Sequence, residues 1–522
     1  MPAVLRRILL LSCLIFTLAA CVAPGAGSSL AANPSAPLLV TANPRATRTP
    51  TPFLPLLITP TLTASPTETA SSTPEPTLTP LPTATTAPTP VVVAPTARPQ
   101  YLVHATVDYA AHTALVDEQI AYTNQSADSL SQLVLAVEPN FWPGGFLLHA
   151  VSVNGAVDYD ITLSSHQMTI ALPQPLAPGQ AVAVGISFQL NVPVKASGLI
   201  YGHNDVQLNL VDWFPFIVPY LPGQGWVLHD VYPWGENLVY DSADFEVDLR
   251  FAGAAPIVAA SAPPEQNGEW TRYRLYGART FSLSMSPHFE TYQAVSSGGV
   301  PVTSYCYSGY GAACNAIAQT GAQALSVYGS VFGGYPYSSL AIVETVIPDG
   351  METDGVVFLN SQYWARYDGT LANELTTLGV HEISHQWWYG QVGNDQALEP
   401  WLDEALGVYS EHIFYESTAP GLLSWWWNYR VLFFKPSGWV DTTVYGGGSF
   451  RTYVNAVYLN GALFIQDVRD RIGDSAFFAF LADYAARQDR QIATSDDFFS
   501  ILREHTDAYI DDLIAAYFQF PH

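Results

Sequence analysis

Residues 381–385, HEISH, set two histidines four apart around a glutamate, and a further glutamate, Glu404, follows after eighteen intervening residues. On a helix, His381 and His385 lie one turn apart on a single face, so both imidazoles reach one metal ion at about 2.0–2.1 Å. Glu382 is left beside the water such a metal binds. Catalytic zinc takes three protein ligands and keeps a position open for water, and a carboxylate arriving from a second helix completes a His, His, Glu set. Glu404 is placed to supply it. The pattern is that of a hydrolase with one zinc ion and Glu382 as general base.

Periodicity shows which elements must position these groups. Leu371, Leu375, Leu378, Ile383 and Trp387 recur at helical spacing and predict a helix over 371–391 that carries the motif. Pro400, a favoured first-turn residue, opens a second predicted helix running to about 416, before Pro420. Residues 315–331 read as a helix and SLAIVETVI as a strand. Downstream, AVYLNGALFIQDVRDRIG, SAFFAFLADYAARQ and SDDFFSILREHTD read as helices. From Tyr101 to about Gln293, short apolar runs alternate with turn residues, and Asn154-Gly155 and Asn267-Gly268 suit tight hairpins. The expected fold is multidomain β + α: an antiparallel β-sandwich or saddle over 101–295, then a mainly helical catalytic domain with a small sheet over 296–522. Trp213, Trp226 and Trp234 fall in one turn-rich segment, where they either line a pocket or anchor core and loops.

The first hundred residues are of another kind. Residues 1–20 read as a secretory signal, with Arg6 and Arg7, then an apolar run from Ile8 to Leu18, then small residues. Leu18-Ala19-Ala20-Cys21 resembles a bacterial lipobox, so Cys21 is the expected lipidated N-terminus and an extracytoplasmic, lipid-anchored location follows. Residues 21–100 are rich in Pro, Thr, Ala and Ser and cannot bury a core. They read as an extended tether reaching on the order of 200 Å at about 3.1 Å per residue.

A formal charge of −26, with Lys195 and Lys435 the only lysines, argues against nucleic-acid binding and against electrostatic attachment to anionic lipid. Cys13 leaves with the signal. Cys306 and Cys314 remain, close enough in sequence to close a small disulfide loop in an oxidising compartment.

With the zinc motif placed, the chain resembles the aminopeptidase-N-like gluzincins, the zinc metallopeptidase family that includes leukotriene hydrolase, from about residue 101 onward. FGGYPYSSLAIVETVIPDGMETDGVVFL is similar to the segment leading into that family's Gly-x-Met-Glu-Asn motif. HEISHQWW and WLDEALGVYSE resemble its zinc helices, and VYLNGALFIQDVRDRIGD the helix bearing its catalytic tyrosine. The resemblance implies a thermolysin-like zinc peptidase domain, with His381, His385 and Glu404 as ligands and Glu382 as base. It also implies Tyr458 as donor to the oxyanion, and Glu352 as the carboxylate that recognises a substrate's free α-amino group, with Gly350 and Met351 holding the peptide through their backbone as an added strand.

Two departures stand out. Thr353 replaces the motif's asparagine, and the chain is too short for the large helical C-terminal domain common in the family, so the cleft is expected to be open. Glu411, two turns beyond Glu404, either orients a zinc histidine or is a solvated helix residue. The expected function is an aminopeptidase acting on peptides outside the cell. The alternatives are an open-cleft zinc endopeptidase and a non-catalytic surface binding protein derived from a peptidase.

Overall fold

The computed structural model describes residues 96–522 apart from 158, 159, 199 and 447. The signal, Cys21 and nearly all of the tether therefore lie outside the described residues. Among the described residues, no helix is long and apolar enough to cross a membrane.

The amino-terminal part is β-structure, as the alternating text requires. Gln100–Asp108 turns Tyr101, Val103, Ala105 and Val107 inward, and Ala181–Asn191 does the same with Val182, Val184, Ile186, Phe188 and Leu190. That period of two leaves one face apolar and the other polar. These strands belong to an eight-stranded sheet, and two four-stranded sheets and a two-stranded hairpin, Tyr220–Leu221 with Gly225–Trp226, accompany it. Asn154 and Gly155 both take positive φ at the turn between Phe146–Val153 and Ala156–Val157, as their side chains favour. The expectation of a wholly antiparallel sheet needs one correction. Gln100–Asp108 runs antiparallel to Thr113–Thr123 but parallel to Ala243–Phe251, in register Tyr101↔Phe245. A parallel neighbour needs a long crossover, which the intervening strands provide.

A five-stranded sheet follows, ordered Glu290–Val295, Pro301–Cys306, Leu340–Thr345, Val356–Asn360, Gly350–Thr353. Its three inner strands are parallel, and helix α1 (Gly311–Val331) is the crossover between the first two. A disulfide joins Cys306 at a strand end to Cys314 in the first turns of α1, with Cα atoms 6.1 Å apart. The hairpin return leaves Gly350–Thr353 at the sheet edge, antiparallel to Val356–Asn360.

Helix α2 (Glu374–Ser384) carries HEISH, capped at its start by the Asn373 side chain, which accepts from Thr376 N. It is shorter than the predicted 371–391. The Ser384 hydroxyl donates to the His381 carbonyl, His385 takes the C-cap position, and Tyr389 adopts φ +133° as the chain doubles back to Val392. Trp387 and Trp388, which extended the apparent helical period, are buried from this turn instead: their ring N–H groups donate to Gly333 O and Ser410 Oγ. Helix α3 (Trp401–Thr418) is buried at every position from Trp401 to Glu416 and forms the centre of the helical part. Helix α4 (Gly461–Ile472) is entered through a π-helical segment, Asn455–Asn460, that sequence periodicity did not signal.

The three tryptophans do not line a common pocket. Trp213 is buried in the β-core and donates to Phe281 O. Trp226 sits on a hairpin edge-on to Tyr220, and Trp234 packs with Tyr232 against the helical core.

Candidate active site

Helices α2 and α3 bring the predicted ligands together. His381 Nε2 lies 3.3 Å from His385 Nε2 and 3.3 Å from Glu404 Oε2, and His385 Nε2 lies 3.8 Å from that same oxygen. About 3.3 Å is the edge of a tetrahedron of ligands set at about 2.0–2.1 Å from its centre. All three residues are buried, and Glu404 Oε2 accepts no hydrogen bond. The helices approach this closely because α3 has glycine opposite the motif: a Cβ on Gly407 would stand 2.9 Å from His381 Cε1 and 3.3 Å from His385 Cε1.

The outer nitrogen of His385 fixes its tautomer. His385 Nδ1 is 2.9 Å from Trp388 O, which places its proton on Nδ1 and leaves Nε2 a lone pair. His381 Nδ1 stands 3.0 Å from Glu411 Oε1; burial lowers its pKa, but Glu404 and Glu411 outweigh that and push it up to about 10. Of the two readings of Glu411, the structure selects the buried one. Burial and then His381 push His385 down to about 4, which keeps it neutral and able to ligate. Three buried ligand atoms converging this closely suit a cation, which would displace the His381 proton, and two imidazoles with one carboxylate suit zinc.

Glu382 faces this set from α2. Burial pushes its carboxyl well above the usual range, against the pull of His381. Its nearest wall is backbone: a Cβ on Gly350 would stand 2.2 Å from Glu382 Oε1, so only glycine lets the edge strand pass the base. The same strand places Glu352 in the cleft, buried, with Gln396 Nε2 3.5 Å from its Oε1. Burial and then the charge of Glu404 push Glu352 up to about 8; the positive charge of a metal or a bound ammonium acts in the opposite direction. Met351 is partly buried in that strand and packs against the small core behind it. Thr353, at the motif's asparagine position, spends its hydroxyl on Val356 O within the hairpin.

Tyr458, on the π-helical segment, donates its hydroxyl to Glu404 Oε1, and its ring lies 6.2 Å from that of His381. Burial and then Glu404 push the phenol well above its usual range, so it stays a proton donor.

Sequence reading missed part of the cleft. Glu236 has its carboxyl pushed well up by burial, then by the charges of Glu352, Glu404, Asp403 and Glu382, and a Cβ on neighbouring Gly235 would meet Val444 and the Tyr453 hydroxyl. Only its flanking aromatics, Tyr232 and Trp234, marked that segment as one that packs on something. Asp403 is buried beside Glu404 and accepts from Gln396 Nε2 at 3.1 Å. Its adjacency to Glu404 was legible; its burial was not.

No family model matches the chain. A stretch covering 35% of it is 23% identical over 212 residues to human aminopeptidase O, and the mouse protein of that name is 24% identical over 214 residues. The chain spans about a quarter of the length of these relatives, 26% in each case. Among solved structures, a glutamate-to-alanine variant of an M1 zinc metallopeptidase from Deinococcus radiodurans, bound to a Tyr-Ser-Ala substrate, aligns over 82% of this chain and 96% of its own, with TM-score 0.60 and 18% identity. The M1 zinc metallopeptidase of the same organism without the substitution aligns over 81% and 93%, with TM-score 0.57 and 17% identity. The fold of this chain is that of the M1 zinc metallopeptidases, and its residues His381, His385 and Glu404 form a group that could hold a metal ion.

Proposed function

We propose that the chain is a zinc aminopeptidase that removes N-terminal residues from peptides outside the cell. The observation that carries this reading is the juxtaposition of the donor set, Glu382 against it, and Glu352 on a free sheet edge in the same cleft. Zinc held there supplies a Lewis acid for the peptide carbonyl and acidifies a bound water. Glu382, its basicity raised by burial, takes the proton of the attacking water and returns it to the departing amine. The Tyr458 hydroxyl, held at Glu404, is placed to donate to the oxyanion. Glu352, with Glu236 in the same acidic group, attracts the α-ammonium group, while the edge-strand backbone of Gly350 and Met351 pairs with the peptide. That the solved neighbour is bound to a tripeptide supports this choice of substrate class.

The test is hydrolysis of a peptide panel, free and N-acetylated, by protein reconstituted with zinc. Stepwise release of N-terminal residues from free peptides alone is the expected result. Equal cleavage of both forms would make the protein an endopeptidase, and binding without cleavage a non-catalytic binding protein.

We further propose that Cys21 is the mature, lipidated N-terminus and that the protein is held on the outer side of the membrane by it. The LAAC sequence motivates this, and the Cys306–Cys314 bond supports an oxidising location. A lipoprotein's several acyl chains anchor stably where one chain binds only marginally. Cys21→Ser is expected to move the protein from the membrane fraction to the soluble one, and mass spectrometry of the native chain is expected to find a lipidated cysteine; an unmodified N-terminus overturns the proposal.

A further inference from the structure

Behind the zinc ligands stands a group of side chains that the hydrolytic reading does not use. Glu411, fully buried on α3, presents Oε1 to His381 Nδ1 at 3.0 Å. Its other contacts all come from one segment. Arg430 Nε is 3.0 Å from both carboxylate oxygens and Arg430 Nη2 is 2.9 Å from Oε1, while Trp426 Nε1 donates to Oε2 at 2.9 Å. Trp426 closes the short helix Leu423–Trp426, and Arg430 lies in the π-helical turn Trp427–Val431 that continues it. Four residues apart on a helical path, the two side chains share a face, and that face meets Glu411. Trp426 is buried and the Arg430 side chain nearly so, at 16% exposure.

We propose that Arg430 is a positioning residue for the zinc site, acting on His381 through Glu411. This rests on the reading of His381, His385 and Glu404 as zinc ligands. The planar guanidinium fork fixes the plane of the Glu411 carboxylate, which a point charge would not do. The carboxylate plane in turn sets where Oε1 stands against His381 Nδ1, 3.0 Å away, and so the ring orientation and the direction in which Nε2 meets the metal. Trp426 and Arg430 Nε both donate to Oε2, while Arg430 also holds Oε1, the oxygen that faces His381. Without Arg430 the carboxylate would lose the fork that fixes its plane and be free to rotate. Rotation moves Oε1 away from His381 Nδ1 and leaves the ring without the contact that orients it.

The readout is zinc affinity, measured on the full-length protein by competition with a chelator at fixed pH, alongside melting of the metal-free protein. Arg430→Gln is expected to weaken zinc binding about 10–100-fold, the usual cost of losing a partner behind a ligand. Arg430→Lys, which keeps charge and most of the volume, guards against a variant that fails to fold and is expected to fall between Arg430→Gln and wild type. Glu411→Gln is expected to weaken zinc about as much as Arg430→Gln, and adding Arg430→Gln to it should change affinity less than two-fold, because the path is then already cut. In cobalt-loaded protein, the visible spectrum of Arg430→Lys should differ from wild type, since the ligand geometry has moved. An Arg430→Lys protein with wild-type zinc affinity overturns the proposal, as does an Arg430→Gln protein that melts lower but binds zinc as before. Losses that multiply in the double variant would show that Arg430 acts independently of Glu411 and would overturn it equally. A wild type that binds no zinc would remove the ligand assignment and this inference together.

Discussion

Glu382→Gln is expected to bind zinc as the wild type does and to lose activity by about 10²–10⁴-fold, the range for removal of a general base. The substitution keeps the shape of the side chain against Gly350, whose Cα leaves no room for a larger change. It leaves His381, His385 and Glu404 in place, so metal content measured by elemental analysis should not fall. Stability should not fall either. Glu382 is a buried carboxyl whose ionised form is disfavoured by burial, and an amide of the same volume has no charge to desolvate. The pair of measurements separates the base from the ligands: loss of both zinc and activity would reassign Glu382 to the metal, and full activity would remove it from the chemistry.

Glu352→Ala has the second large effect and a narrower target. In the proposed reading its carboxylate compensates the substrate ammonium within a cleft from which water is largely excluded. Removing one partner of such a pair costs about 2–5 kcal/mol. At about 1.4 kcal/mol per decade, kcat/KM for free peptides should fall by roughly thirty-fold to several thousand-fold. N-acetylated peptides carry no ammonium, so they should be poor substrates of the wild type and change little in the variant. Glu236 feels the same field and should retain part of the selectivity, which would register as a smaller loss toward the low end of that range. Wild-type enzyme that cleaves free and blocked peptides equally would reject the aminopeptidase assignment and leave the zinc site standing.

The amino-acid sequence by itself located the residues that the structure brings together, His381, His385, Glu404 and Glu382, and the mixed β and α character of the fold. Ligands four apart on a helix need no tertiary information to share a face, and the carboxylate from α3 could be located because Pro400 marks a helix start close before it. The period-two runs likewise specified strands, and the position of Tyr458 came from the motif that it resembles. Local rules failed where long-range packing chose between equal options. Trp387 and Trp388 fit a longer helix as well as a turn, and burial against Gly333 and Ser410 decided for the turn. The parallel pairing of Gln100–Asp108 with Ala243–Phe251 joins segments more than a hundred residues apart, which no local pattern encodes. The acidic character of the cleft emerged only when Glu236 from the β part and Glu352 from the sheet edge met Asp403 and Glu404 of α3. Charge is additive in space and not in sequence, so carboxylates far apart in the chain became one electrostatic unit. Arg430 is the same lesson with opposite sign: in WWWNYR it is one cation beside a run of aromatics, and it gains a role only because that helical turn lies against Glu411.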